Sequence, residues 1–287
     1  MIRLLQRALR WALPLLLLLL LLAISPALLA GPVAAAAAPA QQSLPELFDR
    51  ALQASREGRF GDALPLWNQV LELAPGDAAA WSNRGNVRLA LGDARAAIAD
   101  QTRAIELEPG SSDPHLNRGT AEEALQRWDD AEADYRWILE RSASGPEPGP
   151  GDGASEVRAS ALYNLGNVQG SRGDWAAARR SFQAAAELRP GFAMARSSAA
   201  LAAFQLGDLE DAERSLRSLI RRHPLFADAR AGLTALLWRR GARGEAESNW
   251  VSASGLDPRY RQREWLQQTR RWPPEPVEAL QQFLAIS

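Results

Sequence analysis

The chain has 287 residues, 33 basic against 34 acidic side chains, a formal charge of −1 and no cysteine. The absence of cysteine excludes a disulfide framework, a thiolate metal site, a cysteine nucleophile and a lipidated cysteine anchor. Near-neutral charge gives no general support to a nucleic-acid partner. Every basic residue is arginine, scattered along the chain, which points to coding bias rather than to a special arginine role.

At the N-terminus, Arg3, Arg7 and Arg10 lead into the apolar stretch Trp11–Ala30, followed by the small-residue run "GPVAAAAAPA". A positive start, an apolar core and an Ala-x-Ala region make residues 1–38 a secretory signal. The arginines are not twinned, so the general Sec-type route is expected, with cleavage between Ala34 and Ala38. The same stretch, about 20 residues long, also suffices to span a bilayer, and an uncleaved anchor is the alternative. Either way the folded part, which follows a linker at 39–43, is expected beyond a membrane.

Helical stretches then end on Pro75, Pro109, Pro190, Pro224 and Pro258. The spacing is 34 residues except between Pro109 and Pro190. There, Ala143 is a degenerate equivalent and the remaining excess is a 13-residue insertion. Each unit predicts two helices, A and B, with its first position at Leu44, Ala78, Ser112, Ala159, Ala193 and Ala227. The eighth position is small (Ala51, Gly85, Gly119, Gly166, Ala200, Thr234), and the twentieth is always alanine (Ala63, Ala97, Ala131, Ala178, Ala212, Ala246). The twenty-fourth is bulky (Trp67, Tyr135, Phe182, Leu216, Trp250) except at Gln101. The turn between the helices holds Gly58, Gly92, Gly173, Gly207 and Gly241, with Gln126 in the third unit. Pro65 falls inside a B helix but near its start, where proline is less disruptive.

This 34-residue helix–turn–helix pattern resembles the tetratricopeptide repeat family over residues 44–258. The resemblance implies an all-α, right-handed superhelix of six repeats with a C-terminal cap. Repeats 1–3 occupy 44–143 and repeats 4–6 occupy 157–258. Between them, 144–156 is the Gly/Pro-rich insertion "SGPEPGPGDGASE", expected to form a loop. Its "GPGDG" lacks the Lys-Ser/Thr and the preceding strand of a phosphate cradle. At the fourth position His115, Arg196 and Arg230 replace the usual bulky residue, so packing there is expected to be more polar, or the arginines to snorkel.

Beyond Pro258, at 259–287, Arg259–Thr269 is expected to cap the last repeat with Tyr260 and Trp265 inward. Trp272-Pro273-Pro274 breaks this helix, and a second one starts near Pro276 with Val277, Leu280 and Leu284 on one face. The arginines Arg259, Arg261, Arg263, Arg270 and Arg271 form either a solvated surface or a site for an acidic partner. Together with the leader, this ending resembles the lumenal tetratricopeptide proteins of cyanobacteria and chloroplasts. That resemblance implies a thylakoid lumen or periplasm.

In the family's fold the A helices line a concave groove, and repeat positions 2, 5, 9, 12 and 13 face it because steps of three and four share a helix face. Asn86, Thr120 and Asn167 fall at position 9, with Asn83, Asn117 and Asn164 beside them at position 6. Tyr163, Phe204, Trp238 and Arg239 fall along the same face. An Asn amide offers one acceptor and two donors, which suits a peptide main chain; the aromatics would supply pockets. The alternative is that these asparagines support the fold. Position 5 carries no base (Phe48, Ser82, Leu116, Tyr163, Ser197, Ala231), which argues against a clamp for a C-terminal carboxylate.

No catalytic constellation emerges: His115 and His223 are three repeats apart, no nucleophile elbow occurs, and no cofactor or metal is expected. The resulting expectation is an exported scaffold or adaptor, not an enzyme. It would bind a protein or peptide client in the groove, without nucleic acid and with membrane contact only through an uncleaved leader. The second expectation is a membrane-tethered organiser acting by self-association.

Overall fold

The computed structural model describes residues 43–143 and 153–286. The leader and its expected cleavage region lie outside the described residues, as do residues 144–152 of the expected insertion. Of the N-terminal unit, residues 1–46, only Ser43–Glu46 are described; they start the first helix, with the Ser43 amide donating to Glu46 at 3.1 Å. The remainder from Leu47 is one compact unit.

Six antiparallel helix pairs follow one another from Leu44. They are α1 (Leu44–Arg56) with α2 (Phe60–Leu73), α3 (Ala78–Ala90) with α4 (Ala94–Leu107), and α5 (Ser112–Ala124) with α6 (Trp128–Ala143). Then come α7 (Gly153–Ser171) with α8 (Trp175–Leu188), α9 (Ala193–Gln205) with α10 (Leu209–Arg222), and α11 (Ala227–Arg239) with α12 (Arg243–Leu256). The pairs stack as a right-handed superhelix with a C-terminal cap, and the described residues contain no strand.

The small-against-large pattern explains the pairing. All six position-20 alanines are buried, and in repeats 2, 3 and 4 the position-24 side chain lies over the position-8 glycine. A Cβ at Gly85 would sit 2.7 Å from the Gln101 amide, at Gly119 2.6 Å from the Tyr135 ring, and at Gly166 2.6 Å from the Phe182 ring. A larger residue at any of those three places would force its neighbour to move. Gly92, Gly173 and Gly207 take positive φ, and the aspartate after each caps the B helix. Asp93, Asp174 and Asp208 accept from the amides of Ala96, Ala177 and Asp211 at 3.0, 2.9 and 3.2 Å. Gln126 adopts the same left-handed turn, φ 58°, without the freedom of glycine.

The fourth position shows how arginine substitutes for tryptophan. Trp81 donates its indole N–H to the Pro75 carbonyl at 2.9 Å, and Arg230 donates Nε to the equivalent Pro224 carbonyl at 2.8 Å. His115 is buried, stacked on Trp137 at 3.8 Å and 2.7 Å from Asp134. Arg118 grips the same Asp134 with two bonds of 2.8 Å, as Arg84 grips Asp100 at 2.9 and 2.8 Å one repeat earlier. Burial alone raises the Asp134 carboxyl, but Arg118 and His115 outweigh it and hold the group below its ordinary value.

Four expectations need correction. Helix α7 begins at Gly153, so Gly153–Glu156 extend a helix instead of ending a loop. Past Gly153 the run of Pro and Gly is over, and Val157 on the added turns packs against the cluster of Ile138 and Leu165. Pro65 is the sixth residue of α2, one turn deeper than expected. Finally, Arg259–Thr269 is not one helix: Asp257 accepts from the Arg259 amide at 3.0 Å and starts a 3-10 turn, Pro258–Arg261, before the short α13 (Arg263–Gln268). Helix α14 (Pro274–Leu284) then starts two residues earlier than expected, on a proline suited to a first turn.

Candidate functional site

The face built by the A helices divides into two parts. Along α3 and α5 it is open, with a cavity of about 360 Å³ lined by Ser82, Asn83, Asn86, Glu108, Asp113 and Asn117. Along α9 and α11 it is covered by α14 and by the segment that leads to it.

In the open part the asparagines link neighbouring A helices. Asn117 Nδ2 donates to Ser82 Oγ at 3.3 Å, and Asn164 Nδ2 donates to Thr120 Oγ1 at 3.4 Å. Each amide thus spends one N–H on the adjacent helix; Asn83 and Asn167 make no side-chain hydrogen bond among the described residues. Asn86 differs. Its Oδ1 accepts from Gln101 Nε2 at 3.0 Å, and the same N–H₂ also reaches the Ser82 carbonyl at 2.9 Å. Gln101 replaces a bulky residue and is only 1% exposed, so Asn86 supports a buried polar group as well as facing the groove. The unmatched side chain at position 24 was the sequence signal for that role.

The covered part is organised around Asp228 in the first turn of α11, 1% exposed. It accepts from Ser197 Oγ at 2.6 Å, Tyr260 OH at 2.8 Å, Arg270 Nη2 at 2.8 Å and Nε at 3.0 Å, and Trp272 Nε1 at 3.0 Å. Arg271 reaches Glu123, near the end of α5, and lies over the Trp128 ring at 5.9 Å; Tyr135 donates its hydroxyl to the same Glu123. Burial raises the Glu123 carboxyl above its ordinary range, partly offset by Arg271 and Tyr135. Burial, reinforced by Asp228, holds the Tyr260 phenol well above its ordinary value, so it stays a donor.

These contacts take two expected groove residues, Phe204 and Trp238, out of reach. Phe204 is 3% exposed, inside the core. Trp238 is half-buried, edge-on to Phe283 of α14 at 5.9 Å. Arg239 stays exposed, 4.0 Å from Glu275, while the Glu275 amide donates to Gln205 at 2.8 Å. Tyr163 is half-buried between Phe182 and Phe192, at 5.4 and 5.0 Å. The five C-terminal arginines are each engaged within the chain. Arg270 and Arg271 are spent inside, Arg259 pairs with Asp257, Arg263 pairs with Glu278, and Arg261 lies over Trp250. That a tail segment would fill the groove had no sequence signal beyond its aromatic and arginine content.

A cavity of about 460 Å³ lies away from this face, among α8, α9 and α10, with Arg196, Arg214 and Arg222 alongside Glu187 and Asp211. Its mixed charges select no ligand. Among the described residues no three His, Asp or Glu side chains converge as metal ligands.

Stacked helix pairs around a concave, amide-lined face define a helical-repeat protein, a fold consistent with contact with other chains. The chain belongs to the tetratricopeptide repeat family, whose model matches residues 48–114, 116–191, 163–216 and 197–259. Members are generally non-catalytic scaffolds for protein–protein interaction. Sperm-associated antigen 1A of Danio rerio is 36% identical over 93 residues, 30% of this chain and 22% of that protein. The matched stretch therefore spans about a fifth of that relative. Pseudomonas aeruginosa PilF superimposes with a TM-score of 0.61 at 18% identity, covering 75% of this chain and 92% of that one. PilW, a type IV pilus biogenesis factor, gives 0.58 at 20% identity, covering 84% and 100%. At these identities the likeness is one of fold.

Proposed function

We propose that this chain is an exported adaptor that holds an extended segment of another protein along the open part of its groove, over α3, α5 and α7, during assembly of a complex at or beyond a membrane. The observation that supports this best is the open cavity whose amides still have hydrogen-bonding capacity to offer. Asn83 makes no side-chain bond among the described residues, and Asn117 gives one N–H to Ser82. A row of such groups can pair with main-chain N–H and C=O without reading side chains. Export is supported by the charged, apolar and small-residue leader of residues 1–38, and a periplasm or thylakoid lumen is the setting.

The test is affinity capture from a native periplasmic or lumenal extract, comparing the parent with an Asn83→Ala/Asn117→Ala double variant of matched helicity. A partner enriched by the parent and lost by the variant supports the groove. A partner held equally by both moves the interface elsewhere. A membrane-tethered organiser working by self-association is the second reading, favoured by the length of the apolar stretch Trp11–Ala30. N-terminal sequencing of the mature protein and light scattering separate it from the first.

A further inference from the structure

One pair of residues occurs at two places on the concave face. Ser197 at position 5 of α9 faces Asp228 at position 2 of α11, and Ser82 at position 5 of α3 lines a cavity with Asp113 at position 2 of α5. Both aspartates stand in the first turn of their helix. Elsewhere position 2 holds Pro45, Ala79, Ser160 and Met194, so the serine–aspartate pair marks two of the junctions between repeats and no other.

At the first of these places the chain displays its own ligand. The Arg270 guanidinium sits on Asp228 through Nε and Nη2, in a segment that then runs through Trp272 and two prolines. At the second, Asp113 is exposed and has no cationic partner among the described residues; the same holds for Glu108 on the cavity's rim. The walls differ as well. Positions 6 and 9 around the filled site are Ser198, Leu201 and Gly232, whereas around the open site they are Asn83, Asn86 and Asn117. The filled site therefore accommodates an indole beside the guanidinium, and the open one offers amides to a peptide main chain.

We propose that the cavity between α3 and α5 receives an arginine side chain from an extended segment of the partner protein, with its guanidinium on Asp113 and its main chain held by Asn83 and Asn117. This deepens the groove reading above and rests on it. Arginine fits better than lysine, because its planar fork matches a carboxylate with two bonds whereas an ammonium acts as a point charge. The occupied site supplies the pattern for the empty one, and Glu108 beside Asp113 adds a second negative charge in favour of a cation.

The experiment uses the full chain and a random dodecapeptide library displayed on phage, with the best binders re-measured as labelled peptides by fluorescence anisotropy. Arginine is expected at one fixed register of the selected peptides. Asp113→Asn, a change at an exposed side chain, is expected to weaken the best peptide on the order of tenfold, as is Arg→Ala in the peptide. The two changes together should cost little more than either alone, which identifies them as one contact. Peptides without arginine that still depend on Asn83 and Asn117 would overturn the arginine assignment and leave the groove reading standing. Peptides indifferent to Asp113, Asn83 and Asn117 alike, or no enrichment at all, would overturn both.

Discussion

The concave face has a filled half and an open half, and equivalent backbone positions behave differently in each. Asp228 is buried under Arg270, Tyr260 and Trp272, whereas Asp113 faces solvent with no cationic partner among the described residues. Trp238 lies against Phe283, whereas Asn83 and Asn117 keep capacity to bond. The difference teaches that a groove position predicts orientation but not availability. Whether a side chain can meet a partner depends on what the rest of the chain has already laid on it.

The sharpest way to break this comparison is to remove each aspartate. Asp228→Ala is expected to cost about 3–5 kcal/mol, because Arg270 is left buried without its carboxylate. Asp113→Ala should stay within about 0.5 kcal/mol, as surface changes do. Urea unfolding measures both, and equal losses would remove the distinction between the halves. Next in size, Arg271→Ala is expected to cost about 2 kcal/mol at neutral pH by leaving Glu123 buried without its cation. Burial already raises this carboxyl, and losing Arg271 raises it further, so the native state of the variant binds a proton more tightly than the unfolded chain. The deficit should therefore shrink as pH falls from neutrality toward the ordinary glutamate value of 4.5. A deficit that grew on acidification would contradict the assigned contact.

Smaller effects sharpen the open half. Asn86→Ala should cost about 1 kcal/mol, since buried Gln101 loses one of its two acceptors and keeps only the Ser82 carbonyl, whereas Asn83→Ala should change stability by less than about 0.5 kcal/mol. Thermal unfolding of the two single variants checks whether only one asparagine serves the fold. Gln126→Gly, in the repeat that carries Asp113, Asn117 and Glu123, is expected to gain somewhat under 1 kcal/mol: relief of the left-handed turn is partly offset by the freedom that glycine adds to the unfolded chain. Chemical denaturation of the variant measures that gain.

The repeats were legible because their signals are local and occur six times. Five A helices start on the expected residue, and the close contacts of Gly85, Gly119 and Gly166 match the small–large pattern. The covered groove was not legible. Arg271 and Glu123 are 148 residues apart, Arg270 and Asp228 are 42 apart, and no period relates the members of either pair. Gln101 lay between these cases: its polarity at a bulky position was visible, but its dependence on Asn86 was not.

By itself, the sequence determined the period, the helix pairs, the turn glycines and the face on which the asparagines lie. Each of these rests on sterics and hydrogen bonds between residues within one or two repeats. Only the tertiary structure decided that Phe204 and Trp238 are covered, that Arg270 and Arg271 are spent within the chain, and that Asp113 remains open. Those outcomes depend on where a tail leaving the last repeat comes to rest. Its resting place follows from buried carboxylates and aromatic surfaces brought together by the stacking of every repeat between them.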